Sequence, residues 1–186
     1  MLTNRKVYLK KIELFPTPKV EIKAGISYSN VWRLVNLPVL SSSTRDILYL
    51  LIHNKLPIRE RMFRVGSIND PYCLFCEDAP VCDLEHYFCF CKTVQNLWSE
   101  VRHSLILLVG SDTPNSSLLN LTFPPCTAEK EIVWLVGHYV EKVWISLFKT
   151  GSSLIKKEEF FGYLRFKFKA DQLGARHRMS HIPGLM

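Results

Sequence analysis

Cys73, Cys76, His86 and Cys91 fall in the spacing C-x2-C-x9-H-x4-C. Three thiolates and one imidazole form a donor set suited to a tetrahedral zinc ion, and two cysteines separated by two residues are half of a closed structural site. The expected cofactor is one structural Zn2+. Cys82 and Cys89 share the segment, and Cys89, in an H-x2-C relation to His86, is the stronger rival for the fourth position. Read blandly, the same residues are buried thiols beside a surface histidine. A catalytic zinc needs an open coordination position, which four protein ligands close. A nucleophilic pair of Cys126 and His138 has no readable orienting group. No catalytic residue and no small-molecule substrate are therefore expected, and Cys126 reads as a loop or core thiol.

The elements that must hold this knot follow from periodicity. Ser29 or Asn30 can cap a short helical turn bearing Val31, Trp32 and Leu34. The Ser41 to Thr44 cluster precedes an apolar helix containing Ile47, Leu48, Leu50, Leu51 and Ile52, expected to be buried on most sides. Pro57 suits a first helical position and Gly66 a stop, which predicts a helix over 57–65 carrying Arg59, Arg61 and Arg64. After the cysteine segment, Val94, Leu97, Trp98, Val101, Leu105 and Leu108 recur at spacings of three and four, predicting an amphipathic helix over 93–109. A polar loop with several prolines leads to a second such pattern over 128–150, and a last one over 156–179 places Phe160, Leu164 and Phe168 on one face. With no strand pair or repeat, the expected fold is mainly α: a small helical domain with a zinc-knuckle (CCHC) staple between helices. The boundaries read as a basic arm or linker at 1–28, a helical zinc-binding domain at 29–110 with its knuckle at 69–98, a loop at 111–127, a C-terminal helical pair at 128–180 and a tail at 181–186.

Composition narrows the partner. The 186 residues are 47% apolar, enough for one substantial core or two small ones, and carry a formal net charge of +7. Such a balance favours a polyanion, RNA or DNA through its phosphate backbone. The longest apolar run, 105–109, is too short to span a bilayer, and the basic opening lacks the apolar run of a secretory signal. The chain is expected to be intracellular, in nucleus, cytoplasm or both, with its six cysteines reduced and no membrane partner.

The stretch from Asn69 to Trp98 resembles the zinc-binding region near the C-terminus of non-LTR (LINE-type) retrotransposon reverse transcriptases. The likeness rests on Cys73, Cys76, Glu85-His86, a cysteine five residues after the histidine (Cys91), and Trp98. Upstream it runs through Trp32, Leu37-Pro38, Arg45 to Leu48 and His53 to Pro57; downstream it is looser. This resemblance favours Cys91 over Cys89. It also implies a segment that binds the element's RNA or target DNA beside an upstream polymerase domain. The polymerase signature Tyr-x-Asp-Asp is missing, as is a nuclease-type carboxylate and lysine set, so catalysis would lie on other sequence.

Charge is uneven. Residues 26–66 hold six basic and two acidic side chains, 67–100 one lysine against six acids, and 151–186 seven basic against three acidic. An acidic knuckle would repel phosphates, so the zinc is expected to clamp two basic elements. The candidate nucleic-acid contacts are Arg59, Arg61 and Arg64 on the second helix, and Arg165, Lys169 and Arg176 on the last, spaced to share one face. The alternative is a zinc-scaffolded protein-protein interaction module, a domesticated or remnant element, docking through an exposed part of the Trp134 and Trp144 helix.

Overall fold

The computed structural model describes residues 28–149 and 155–170; residues 1–27 of the basic arm, the tail and Arg176 lie outside them. The described residues are mostly helical and contain no strand, only an isolated antiparallel bridge between Tyr72 and Val81.

Helix α1 (Tyr28–Val35) buries Val31, Leu34 and Val35 on one stripe. A turn leads to Ser41, whose hydroxyl accepts the Thr44 N–H at 3.2 Å and starts α2 (Ser42–Ile52). This helix buries Thr44, Leu48, Leu51 and Ile52. Tyr49 on its other side is half exposed, so α2 is one-faced rather than buried on most sides. Asn54 turns left-handed at φ 49° to end it. Leu56 and Ile58 then plug the core. Ile58 is still extended, with φ −78° and ψ 162°, so α3 (Arg59–Arg64) begins two residues after Pro57 and the expected proline start is wrong. With six residues and none buried, α3 is held by its ends.

Beyond the knuckle, α4 (Gln95–Val109) buries Leu97, Trp98, Val101 and Leu105 and stops at Gly110, left-handed at φ 79°. The stretch expected to be a plain loop holds a short helix, α5 (Asn115–Leu119), fastened by Asn115 Oδ1, which accepts from Trp98 Nε1 at 3.1 Å and Arg102 Nε at 2.9 Å. Helix α6 (Glu129–Trp144) is buried at every position from 131 to 141. A helix buried on every side belongs at the centre of a core, and α1, α2 and α4 all pack on it. It passes into a π-helical turn (Ile145–Lys149); α7 (Lys157–Ala170) then crosses it, with Phe160 on Tyr139 at 5.9 Å and Phe168 on Trp134 at 6.1 Å. Phe160 and Leu164 are fully buried, as expected. Residues of both the segment read as the helical zinc-binding domain and the one read as the C-terminal helical pair contribute to one core cluster, running from Val31 to Leu164.

One polar cluster sits inside that core. The Glu141 carboxylate accepts from Thr44 Oγ1 at 2.8 Å, Tyr163 Oη at 2.9 Å, Ser43 Oγ at 3.0 Å and His138 Nδ1 at 3.3 Å. Burial alone would raise its pKa, but the hydrogen bonds from His138, Thr44, Tyr163 and Ser43 outweigh it and hold the carboxyl at about 2. The cluster ties α2, α6 and α7 together at one point.

Candidate metal centre

The knuckle is built by short local devices. Asp70 Oδ1 accepts the Tyr72 N–H at 3.1 Å, turning the chain after Asn69, and also receives Arg59 Nη2 at 2.6 Å, which anchors the start of α3. The amide of Cys73 reaches Pro80 O at 2.8 Å and that of Cys82 reaches Pro71 O at 2.9 Å. Cys73 and Cys76 thus sit in a pinched loop. Asp83 Oδ1 accepts the His86 N–H at 2.7 Å and starts a π-helical turn, His86–Phe90, closed by the Cys91 N–H on His86 O at 2.8 Å. In an α-helix, residues five apart point about 140° away from each other. The wider i→i+5 turn stacks Cys91 over His86, so both donors of H-x4-C face the same point.

The Sγ atoms of Cys73, Cys76 and Cys91 and the His86 ring nitrogen lie within 4.8 Å of one another. Cys73 Sγ is 3.7 Å from Cys91 Sγ, Cys76 Sγ is 3.9 Å from Cys91 Sγ, and Cys76 Sγ is 3.6 Å from His86 Nε2. A tetrahedral zinc with its usual bond lengths has S···S edges of about 3.8 Å and S···N edges of about 3.6 Å. The donor set fits such an ion in type and spacing, and no competing carboxylate stands among the four.

A second layer supports it. The amide of Phe75 donates to Cys73 Sγ at 3.4 Å, that of Lys92 to Cys76 Sγ at 3.4 Å, and Thr93 Oγ1 to Cys91 Sγ at 3.2 Å. Donors aimed at sulfur stabilise thiolates. Burial lowers the pKa of His86, against the opposing charge of Asp83, and so favours the neutral ring that coordinates. Burial pushes the Cys91 thiol up to about 12, despite the bonds from Thr93, so taking up a cation there means releasing a proton. Cys73, His86 and Cys91 are buried, whereas Cys76 and His86 also line an open groove with Glu77, Pro80 and Phe90.

Cys82 and Cys89, the rivals for a ligand position, lie outside the donor group, and burial raises the pKa of both. Cys89 is a core residue, 2% exposed. The centre is joined to the central helix where Tyr139, fully buried, donates its hydroxyl to the Phe88 carbonyl.

The basic residues singled out from the sequence fare unevenly. Arg59 is taken up by Asp70, Arg61 donates from Nη1 to Asn54 O at 3.0 Å, and Arg64 pairs with Glu60. Arg165 is exposed on α7; the Lys169 side chain and Arg176 fall outside the described residues. On the helix whose exposed part was expected to offer a docking face, Trp134 and Trp144 are 0% and 7% exposed, so neither tryptophan ring is presented to solvent. Sequence reading missed the Glu141 cluster, although His138 and Glu141 at i and i+3, at the end of the apolar run 132–140, are its signal.

Fold and site together define a mostly helical protein organised around a cysteine and histidine cluster of metal-binding type. Compared with known families, residues 23–98 match the one described as zinc-binding in reverse transcriptase. That stretch, which holds α1 to α3, all four donors and Trp98, is a reverse-transcriptase zinc-binding region. No curated protein and no solved structure matches the chain. None of the helices among the described residues is long and apolar enough to cross a membrane.

Proposed function

We propose that the chain is a non-catalytic, nucleic-acid-binding segment of a non-LTR retrotransposon-type reverse transcriptase, in which Cys73, Cys76, His86 and Cys91 hold one structural zinc. When bound, the ion locks the knuckle between α3 and α4. RNA or DNA then binds through phosphates on the basic surfaces flanking the acidic knuckle, beside a polymerase domain supplied by other sequence. The observation that supports this reading best is the donor tetrahedron, within the segment that matches a reverse-transcriptase zinc-binding family. With Arg59 and Arg61 bonded to Asp70 and the Asn54 carbonyl, and Arg64 partly offset by Glu60 at the surface, the exposed Arg165 with Lys169 and Arg176 is the stronger of the two basic groups.

Two measurements test it. Purified protein should carry one zinc per chain by elemental analysis, and binding of a nucleic acid should weaken steeply with salt, by orders of magnitude if about six phosphates are neutralised. A flat salt response, or no binding at low salt, removes the nucleic-acid part. Replacing Arg165, Lys169 and Arg176 together with Gln should weaken binding about equally for all sequences.

A second reading, a zinc-scaffolded protein-interaction module, is favoured by one observation. Tyr72, Leu74 and Val81 on the knuckle are 49%, 73% and 46% exposed, in a segment that also carries Asp78, Asp83 and Glu85. An apolar, acidic face of this kind suits a protein more than a phosphate backbone.

A further inference from the structure

Three rings meet on the outer side of α1 and α2. The centroids of Trp32 and Tyr49 are 5.5 Å apart, those of Trp32 and His53 5.2 Å apart and nearly parallel at 23°, and those of Tyr49 and His53 4.2 Å apart. The inward face of α2 is made by Thr44, Leu48, Leu51 and Ile52; of the three rings, Trp32 packs against the edge of the core while Tyr49 stands off it. Tyr49 is 51% exposed, and Trp32 and His53 are half-buried beside it.

Their surroundings carry cations. Arg45, Tyr49 and His53 follow one another at i, i+4 and i+8 along one stripe of α2. Lys55 follows just past the helix end and is exposed, and Arg61 reaches back to the Asn54 carbonyl. Arg33, beside Trp32, is shared with Glu129, and Arg45 with the Leu37 carbonyl; Asp46 is the one carboxylate on α2. Burial and then the Lys55 charge lower the pKa of His53, leaving its ring uncharged at neutral pH. An exposed aromatic face between cations is the chemistry that holds unpaired bases, whose π faces stack while phosphates meet the charges. A duplex hides those faces.

We propose that Trp32, Tyr49 and His53 form a stacking ledge for an unpaired base of a single-stranded nucleic acid, with Lys55 and Arg45 beside its phosphates. The ledge rests on the nucleic-acid reading above and gives it a strand preference which basic helices alone do not. It stands apart from the metal ligands, on the helices that precede the knuckle.

The test uses the full zinc-loaded chain and fluorescence anisotropy with a labelled 20-nucleotide single-stranded RNA and a duplex of equal length. Tyr49→Ala should weaken single-strand binding by about ten-fold, the loss expected for one stacked base, and leave duplex binding and the thermal midpoint unchanged. Tyr49→Phe should restore single-strand affinity; Tyr49→Leu, which keeps the bulk without a π face, should not. The ledge is overturned if Tyr49→Ala binds the single strand as well as the parent, if both ligands weaken equally, or if Tyr49→Leu rescues. Those results leave the phosphate-binding reading standing, whereas a parent protein that binds neither ligand at low salt defeats both.

Discussion

A single residue separates Cys89 from Cys91, and the two thiols meet opposite fates: one is core filling, the other lies within 4 Å of two more sulfurs. Cys73→Ser or His86→Ala should abolish metal binding and unfold the knuckle, because structural zinc contributes on the order of 10 kcal/mol, comparable to the stability of a whole domain. Cys126→Ser, at a half-buried loop thiol, should shift stability by no more than about 0.5 kcal/mol. Thermal midpoints with and without a strong chelator check both. Glu141 offers a pH test. Its pKa is depressed from 4.5 to about 2, so its contribution is fully present above the ordinary value and is lost as pH falls towards about 2. Glu141→Gln should cost ~3 kcal/mol at neutral pH, since it disturbs a buried charged network, and should flatten the acid side of the stability profile between those values. Denaturant titrations at pH 7, 4 and 3 measure it.

Among the elements, α2 and the turn before it pack tightly on α6 at Gly137, where an added Cβ would lie 2.9 Å from Leu40 Cδ2 and 2.9 Å from Thr44 Cγ2. Thr44 has little freedom to yield, because its hydroxyl is bonded to Glu141 and Ser41. Gly137→Val should destabilise the fold by about 1–3 kcal/mol through overpacking, read as a lower denaturant midpoint at unchanged slope. Helix α3 is a different case: with no buried residue it depends on Arg59 and Asp70, so Arg59→Gln should lower the thermal midpoint even without nucleic acid present. Periodicity made α1, α2, α4, α6 and the start of α7 legible, and residue type made the four donors legible. Other features were not, for physical reasons. Arg59 looks like a solvent cation until the Asn69 to Pro71 turn brings Asp70 to it. The centrality of α6 is a tertiary fact, hinted at only by the nearly unbroken apolar run from Ile132 to Val140. The π-helical turn is latent in H-x4-C, a spacing that an α-helix would point apart.

Across the whole molecule, charge and packing divide the labour. The knuckle is acidic and carries exposed apolar side chains; cations lie before and after it in the chain; and the buried material forms one continuous core that includes Cys73 and Cys91 themselves. Continuity predicts that metal removal will lower the stability of the whole described region in a single cooperative transition. A chelator-treated sample melting in two steps, with the half built on α6 and α7 unaffected, would contradict it.

The contact between Trp98 and Tyr139, 5.1 Å between ring centroids, lies where Tyr139 also grips the Phe88 carbonyl between the two late donors. An indole sealed from water at that junction, 3% exposed, is a native optical probe: loss of the ion should loosen the turn, wet the ring and redden its emission, so occupancy can be followed by intrinsic fluorescence with no label.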